Sequence, residues 1–456
     1  MISNPLKQDK TMKNIFRITM LMLSAGAMTL ASCSSDDDIA SKYISNVTTL
    51  TASTPGSEVT SRTTVDGSDN TKVDWQTGDK LSIFDGTNND QYTLSGGEGT
   101  TTGSFTGTST GTPAAALYPY NSDASYDGSV ITATIPSEQT ATAGTYDPAA
   151  GLMVGTVSGT TITFKHACAY LRVVAPDTEV GEDGDGNGTG YTLTKITINT
   201  AEMATALTGK AKFTPSDGSF TAVETSASVA LTGTFTQNSE YYAAILPISS
   251  DAKLVISYVY VSTTNHQCVV KTKASNNTLT LAAGHTKKLS AVTSGLTARQ
   301  GVQLWTNGPY FATMNLGETT SEGNSATYTW SASGTDSDNA SKVWGGAWKV
   351  PTETEMNELY NAATSTGSSY VSCSYTTYSG TSVYGFKFTG NAYTGNSLFL
   401  PAQDGNSYYG YADYWSGTVA DGGGRYLNLY YYFGRWNSSW YSYDAGDNDL
   451  VRPVLK

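Results

Sequence analysis

The chain has 456 residues, 26 of them basic and 39 acidic, giving a formal charge of −13. An acidic surface repels nucleic-acid phosphates and anionic membrane surfaces, so neither is an expected partner. Three histidines and no Cys-x-x-Cys pair leave little from which to build a zinc site, and no metal or cofactor is expected. Only 14% of residues are charged, while Gly, Ser, Thr, Asn and Tyr abound, a bias that suits turn-rich β-structure in about two to four domains.

Lys7, Lys10, Lys13 and Arg17 lead into an apolar stretch from about Ile15 to Leu30. It is shorter than the roughly 20 apolar residues of a membrane-spanning helix. Basic, apolar and small residues follow one another as in a secretory signal, whose start is either Met1 or Met12. Leu30-Ala31-Ser32-Cys33 resembles the lipobox of bacterial lipoproteins. That resemblance implies cleavage after residue 32, lipidation of Cys33 and anchoring to the outer membrane. An ordinary cleaved signal with an incidental cysteine is the alternative. Removing residues 1–32, which hold four basic residues and one acid, makes the charge more negative by three. Ser34-Ser35-Asp36-Asp37-Asp38 resembles the surface-export signal of Bacteroidetes lipoproteins and reads equally as a solvated tether over residues 33–44.

From 45 to 165, short β-like runs alternate with turn clusters, as in Lys80-Leu81-Ser82-Ile83-Phe84 and Val130-Ile131-Thr132-Ala133-Thr134-Ile135. A second set spans 166–297 and includes Tyr170-Leu171-Arg172-Val173-Val174 and Lys253-Leu254-Val255-Ile256-Ser257-Tyr258-Val259. The first 300 residues read as two all-β domains. Cys168, Cys268 and Cys373 allow one internal bridge at most, with Cys168–Cys268 the favoured pair in an oxidising compartment.

Several segments in these regions resemble the fimbrillin-like lipoproteins of Bacteroidetes. They are Arg62-Thr63-Thr64, Val73-Asp74-Trp75-Gln76-Thr77-Gly78-Asp79, Leu117-Tyr118-Pro119, Phe164-Lys165-His166-Ala167, Tyr242-Ala243-Ala244-Ile245-Leu246-Pro247 and Leu281-Ala282-Ala283-Gly284-His285. The resemblance implies two transthyretin-like β-sandwiches and a pilin's mode of assembly. In that mode a protease removes the first strand, here by a cut near Arg62, and a strand of another pilin subunit fills the opened groove. Arg62 also reads as a plain surface arginine. Stalk subunits of that family carry their donor strand at the C-terminus, where this chain has a third region instead. A tip or accessory subunit is therefore expected, or a monomeric surface lipoprotein.

The third region, 298–456, holds seven of the eight tryptophans. Thr352 and Glu355 have the spacing of a helix capping box, and Met356, Leu359 and Tyr360 supply an apolar helix face. Strand-like pieces follow at Tyr384-Gly385-Phe386-Lys387-Phe388, Ser397-Leu398-Phe399-Leu400-Pro401 and Tyr414-Trp415-Ser416, and the chain closes on Val451-Arg452-Pro453-Val454. This order resembles the C-type-lectin-fold domain of Bacteroidetes surface proteins. It is also similar to formylglycine-generating-enzyme-like domains and to retroelement-diversified variable proteins, whose ligand contacts precede the final strand. The fold class expected overall is mainly β, with two sandwiches followed by an α+β C-type-lectin-like domain.

The segment before that final strand is rich in Tyr, Trp, Ser and Asn, the composition of recognition loops: rigid amphipathic rings plus adaptable hydrogen-bonding groups. Tyr430, Tyr432, Arg435, Trp436, Asn437, Ser439, Trp440, Tyr441, Tyr443, Asp444, Asp447 and Asn448 are the expected contacts to a host or microbial glycan or protein. Leu427, Leu429, Tyr431 and Phe433 are expected in the core. A Tyr-rich strand packed on its own domain is the bland alternative.

Enzymatic readings are weaker. Asp183-Gly184-Asp185-Gly186-Asn187-Gly188 opens like a calcium loop, but Thr194 stands where a bidentate Glu is needed. The copper oxidases among the formylglycine-generating relatives use paired cysteines, whereas this region has Cys373 alone. Asp404 and Asp413 could serve glycoside hydrolysis only if something positioned them. A non-catalytic binding protein is the expectation.

Overall fold

A computed structural model describes residues 47–55, 73–181, 190–289, 292, 294–364, 370–420, 423–444 and 446–456. Cys33, Arg62 and the calcium-like run at 183–188 lie outside the described residues. The fold is mainly β, and no helix among the described residues is long and apolar enough to cross a membrane.

Period-2 alternation decides the first strand. Val47–Ser53 buries Leu50 and Ala52 and turns Thr49 and Thr51 outward. It pairs in parallel with Thr161–His166 and antiparallel with Thr102–Thr108, which closes seven strands into a barrel. Trp75 fills the barrel, with Phe105, Tyr118 and Phe164 edge-on at 4.9, 5.3 and 5.8 Å, and its indole N–H donates to the Ala52 carbonyl at 3.2 Å. Each such buried ring contributes roughly 1.5–3 kcal/mol.

Residues 125–140 leave this barrel. Ile131–Ile135 pairs with Thr208–Phe213, and Glu138–Thr140 runs parallel to Ser228–Thr232. The latter joins a ten-stranded sheet that continues through Tyr191–Thr200, Ile248–Ser262, Gln267–Leu281 and Thr297–Val302 to Phe311–Ala312, Val454–Leu455 and Trp348–Lys349. A three-stranded sheet of Glu240–Ile245, Ala169–Val174 and Thr286–Lys288 covers part of it through a core that includes Leu171, Ile196, Ile198, Tyr258 and Ile245. Hydrogen-bonded sheets thus cross both boundaries expected from the sequence, at 165 and at 297, and Ser45–Lys456 forms one compact unit.

The C-terminal region seats on the large sheet by way of Trp344 and Trp348, which cluster with Val259, Cys268 and Val270. Gly346 makes that approach possible. Its N–H donates to Asn199 Oδ1 at 2.8 Å, and a Cβ there would sit 2.9 Å from Ser228 Oγ. The capping box forms as expected: Thr352 N–H donates to Glu355 Oε2 at 2.7 Å and Glu355 N–H to Thr352 Oγ1 at 3.2 Å. It opens the helix Glu353–Thr364, which buries Met356 and Leu359.

The expected Cys168–Cys268 bridge is absent. Both thiols are free and buried in different clusters, Cys168 with Leu152 and Tyr170, Cys268 against the Trp344–Trp348 pair. Burial pushes the Cys168 thiol up to about 12 and the Cys268 thiol higher still.

Candidate ligand-binding face

The segment expected to be a recognition loop is instead an edge strand, Arg435–Tyr443, in a four-stranded sheet with Asp404–Gly405, Tyr409–Ala420 and Gly423–Tyr432. Cross-strand register sorts every side chain to one face or the other. Rows on one face read Tyr409, Tyr432, Arg435, then Tyr411, Tyr430, Asn437, then Asp413, Asn428, Ser439, and last Trp415, Tyr426, Tyr441. The opposite face carries Ala412, Leu429 and Ser438 and, beside them, Tyr414, Leu427 and Trp440, and it packs into the core.

The first face is the exposed one at its tip end. Tyr432 is 64% exposed, Tyr430 37%, Tyr409 41% and Tyr411 42%. Arg435 and Asn437 are exposed beside them, Ser439 is half-buried, and Tyr441 is exposed but stacks on buried Tyr426 at 5.7 Å. Tyr443 ends the strand opposite Gly424. Asp444, Asp447 and Asn448 are exposed beyond it, with Asn448 paired to Thr329.

Two of the expected contacts point the other way. Trp436 and Trp440 are half-buried on the core-facing side. Trp436 meets Phe388 and Tyr360 edge-on at 6.0 and 6.1 Å. Trp440 lies beneath the Arg425 guanidinium, which is 5.8 Å from its ring and held by Glu353 at 2.8 Å. Alternation imposes this: a strand that shows Asn437 and Tyr441 to one side must send Trp436 and Trp440 to the other.

Phe433 also departs from expectation. Leu427 and Leu429 are buried and Tyr431 is half-buried, stacked on Tyr375 at 4.2 Å, but Phe433 is 66% exposed. Pairing of Tyr432 with Arg435 leaves Phe433 and Gly434 as a two-residue turn, with φ of 45° and 85°. Both angles are left-handed, the geometry that two-residue hairpins need. The Phe433 N–H donates to the Tyr408 carbonyl at 2.9 Å, tying this tip to the neighbouring hairpin.

Tyr408, Tyr409 and Tyr411 are the surface residues that sequence reasoning missed. The alternation Tyr409-Gly410-Tyr411-Ala412-Asp413 was the available signal, but only register shows that it continues the face of Tyr430 and Tyr432. Acids border the face. Asp404 accepts from the Tyr409 hydroxyl at 3.3 Å and Asp413 from Asn428 Nδ2 at 2.6 Å. Burial raises the Asp413 carboxyl, and burial with the Asp413 charge pushes Asp449 up to about 6. Among the described residues, no group of three or more His, Cys, Asp or Glu side chains is placed to hold a metal ion.

In comparisons with known proteins, no family model, curated protein or solved structure matches this chain.

Proposed function

We propose that this protein is a lipid-anchored cell-surface adhesin, a tip or accessory subunit of a fimbrillin-like fibre, that grips its ligand with the tyrosine face of its C-terminal sheet. One observation carries the reading: Tyr409, Tyr411, Tyr430 and Tyr432 stand exposed side by side on a hydrogen-bonded sheet with Arg435 and Asn437 among them. Tyrosines held this way offer large amphipathic contact area at little entropic cost, which suits binding and does nothing for turnover. The test is a glycan and protein array probed with the full chain and with the variant Tyr411→Ala/Tyr430→Ala/Tyr432→Ala. Ligands bound by the parent and lost by the triple variant support the reading; undiminished capture refutes it.

Assembly is favoured by the position of the first strand. Val47–Ser53 precedes Arg62 and supplies Leu50 and Ala52 to the barrel core. Cutting between the two and withdrawing that strand would uncover Trp75 and Phe105 along two unpaired edges, a ready acceptor for another subunit's strand. A ladder of oligomers on unheated gels, lost in Arg62→Ala, supports polymerisation. A single lipid-bearing band supports the alternative, a monomeric surface lipoprotein with the same binding face.

A further inference from the structure

The three-stranded sheet of Val371–Thr377, Tyr384–Gly390 and Ser397–Pro401 buries Val371, Phe386, Phe388, Leu398 and Leu400 on one face. Its other face carries the row Ser374, Lys387, Phe399 and forms one wall of a groove of about 690 Å³. The facing wall comes from Thr297–Val302 and from Thr313 and Ser321. The size is that of a small-molecule site.

The lining is polar and almost uncharged. Hydroxyls dominate: Ser374, Thr376, Ser379, Ser397, Thr313 and Ser321 all border the groove. Tyr378 contributes a half-buried ring, packed 5.0 Å from Phe399. No carboxylate lines the groove, although the chain as a whole is strongly acidic, and Lys387 is the single charged residue in the lining. Lys387 is exposed and forms no ion pair among the described residues. In the groove it is surrounded by neutral donors and acceptors.

We infer that this groove, lined by none of the residues of the tyrosine face, is a second binding site and that its ligand is an acidic oligosaccharide. Ligand hydroxyls exchange hydrogen bonds with the serine and threonine side chains, the Tyr378 ring receives the C–H face of a sugar, and the Lys387 ammonium pairs with the acid group. A free phosphate compound is a poorer match, because no glycine-rich run of backbone N–H groups converges on the groove. A neutral sugar leaves the cation without a partner.

The test is titration calorimetry of the full chain with three probes: an oligogalacturonate, a sulfated heparin oligosaccharide and a neutral malto-oligosaccharide. At least one acidic probe is expected to bind, more weakly as salt is raised, and the neutral one not to bind. Lys387→Gln is expected to lower the acidic affinity about tenfold or more, since a charge-assisted hydrogen bond is lost. Ser374→Trp, an exposed position on the groove wall, is expected to abolish binding by filling the space. The Tyr411→Ala/Tyr430→Ala/Tyr432→Ala variant is expected to bind the acidic probe as the parent does, which separates this site from the tyrosine face. Absence of acidic binding, equal binding of the neutral probe, or affinity unchanged in Lys387→Gln or Ser374→Trp overturns the assignment.

Discussion

The indole N–H of Trp440 donates to Asn357 Oδ1 at 2.7 Å, fastening the edge strand of the C-terminal sheet to the middle of the helix Glu353–Thr364. Trp440→Phe keeps a ring in the half-buried site but leaves the Asn357 acceptor unpaired. The expected cost is about 1 kcal/mol, with a similar cost for Asn357→Ala and less than the sum for the pair. Denaturant melts of the four proteins check this; strict additivity would show that the two side chains do not interact.

Phe433 occupies a left-handed turn position that disfavours a bulky side chain, whereas Asn followed by Gly suits the same turn. Phe433→Asn is expected to stabilise the protein by about 0.5–1 kcal/mol. A lowered melting temperature would mean that contact of the Phe433 ring with Tyr408 and Tyr432 outweighs the backbone strain.

Asp449 gives a pH signature. Burial, then the neighbouring Asp413 carboxylate, raises its pKa from 3.8 to about 6. Between those values the folded chain keeps a proton that the unfolded chain has released, so this group's contribution to stability falls as pH rises through the window. Asp449→Asn, which removes the charge, is expected to raise the melting temperature most at pH above about 6, the gain fading as pH falls below about 4. A gain independent of pH would exclude ionisation of Asp449 as its cause.

Cys168 and Cys268 are expected to carry free thiols in protein purified without reductant, because they lie in separate clusters. Peptide mass mapping after alkylation should find both blocked, and reductant should leave the melting temperature unchanged. A Cys168–Cys268 linked peptide would contradict the packing described for both.

A fragment of residues 298–456 is expected not to melt cooperatively. Thr297–Val302 takes its ladder from Gln267–Leu281, and Trp344 and Trp348 bury against Val259 and Val270 of the same sheet. Sharp near-ultraviolet melting of that fragment would show that the C-terminal region is self-sufficient.

Local rules carried far into this chain where the interaction was local. Thr352 and Glu355 announced a helix start, and the alternation at Leu427 and Leu429 announced a buried strand face; both are found. Non-local pairing was not legible. Nothing in Glu138–Thr140 says that it will run beside Ser228–Thr232, and nothing near 297 says that the next strand extends the preceding sheet. The expected binding residues divided along the same line. The sequence identified the aromatic segment and the outward side of Tyr430 and Tyr432, but only register could decide that Trp436 and Trp440 anchor the strand and that Tyr409 and Tyr411 continue the exposed face.

The sheet that runs from Glu138–Thr140 to Trp348–Lys349 has a mechanical corollary. Where the sequence suggested domain boundaries, backbone ladders run across them, so the strands on either side of residues 165 and 297 cannot turn against one another without breaking peptide hydrogen bonds. A pull that separates those strands loads several peptide hydrogen bonds together instead of drawing out a slack linker.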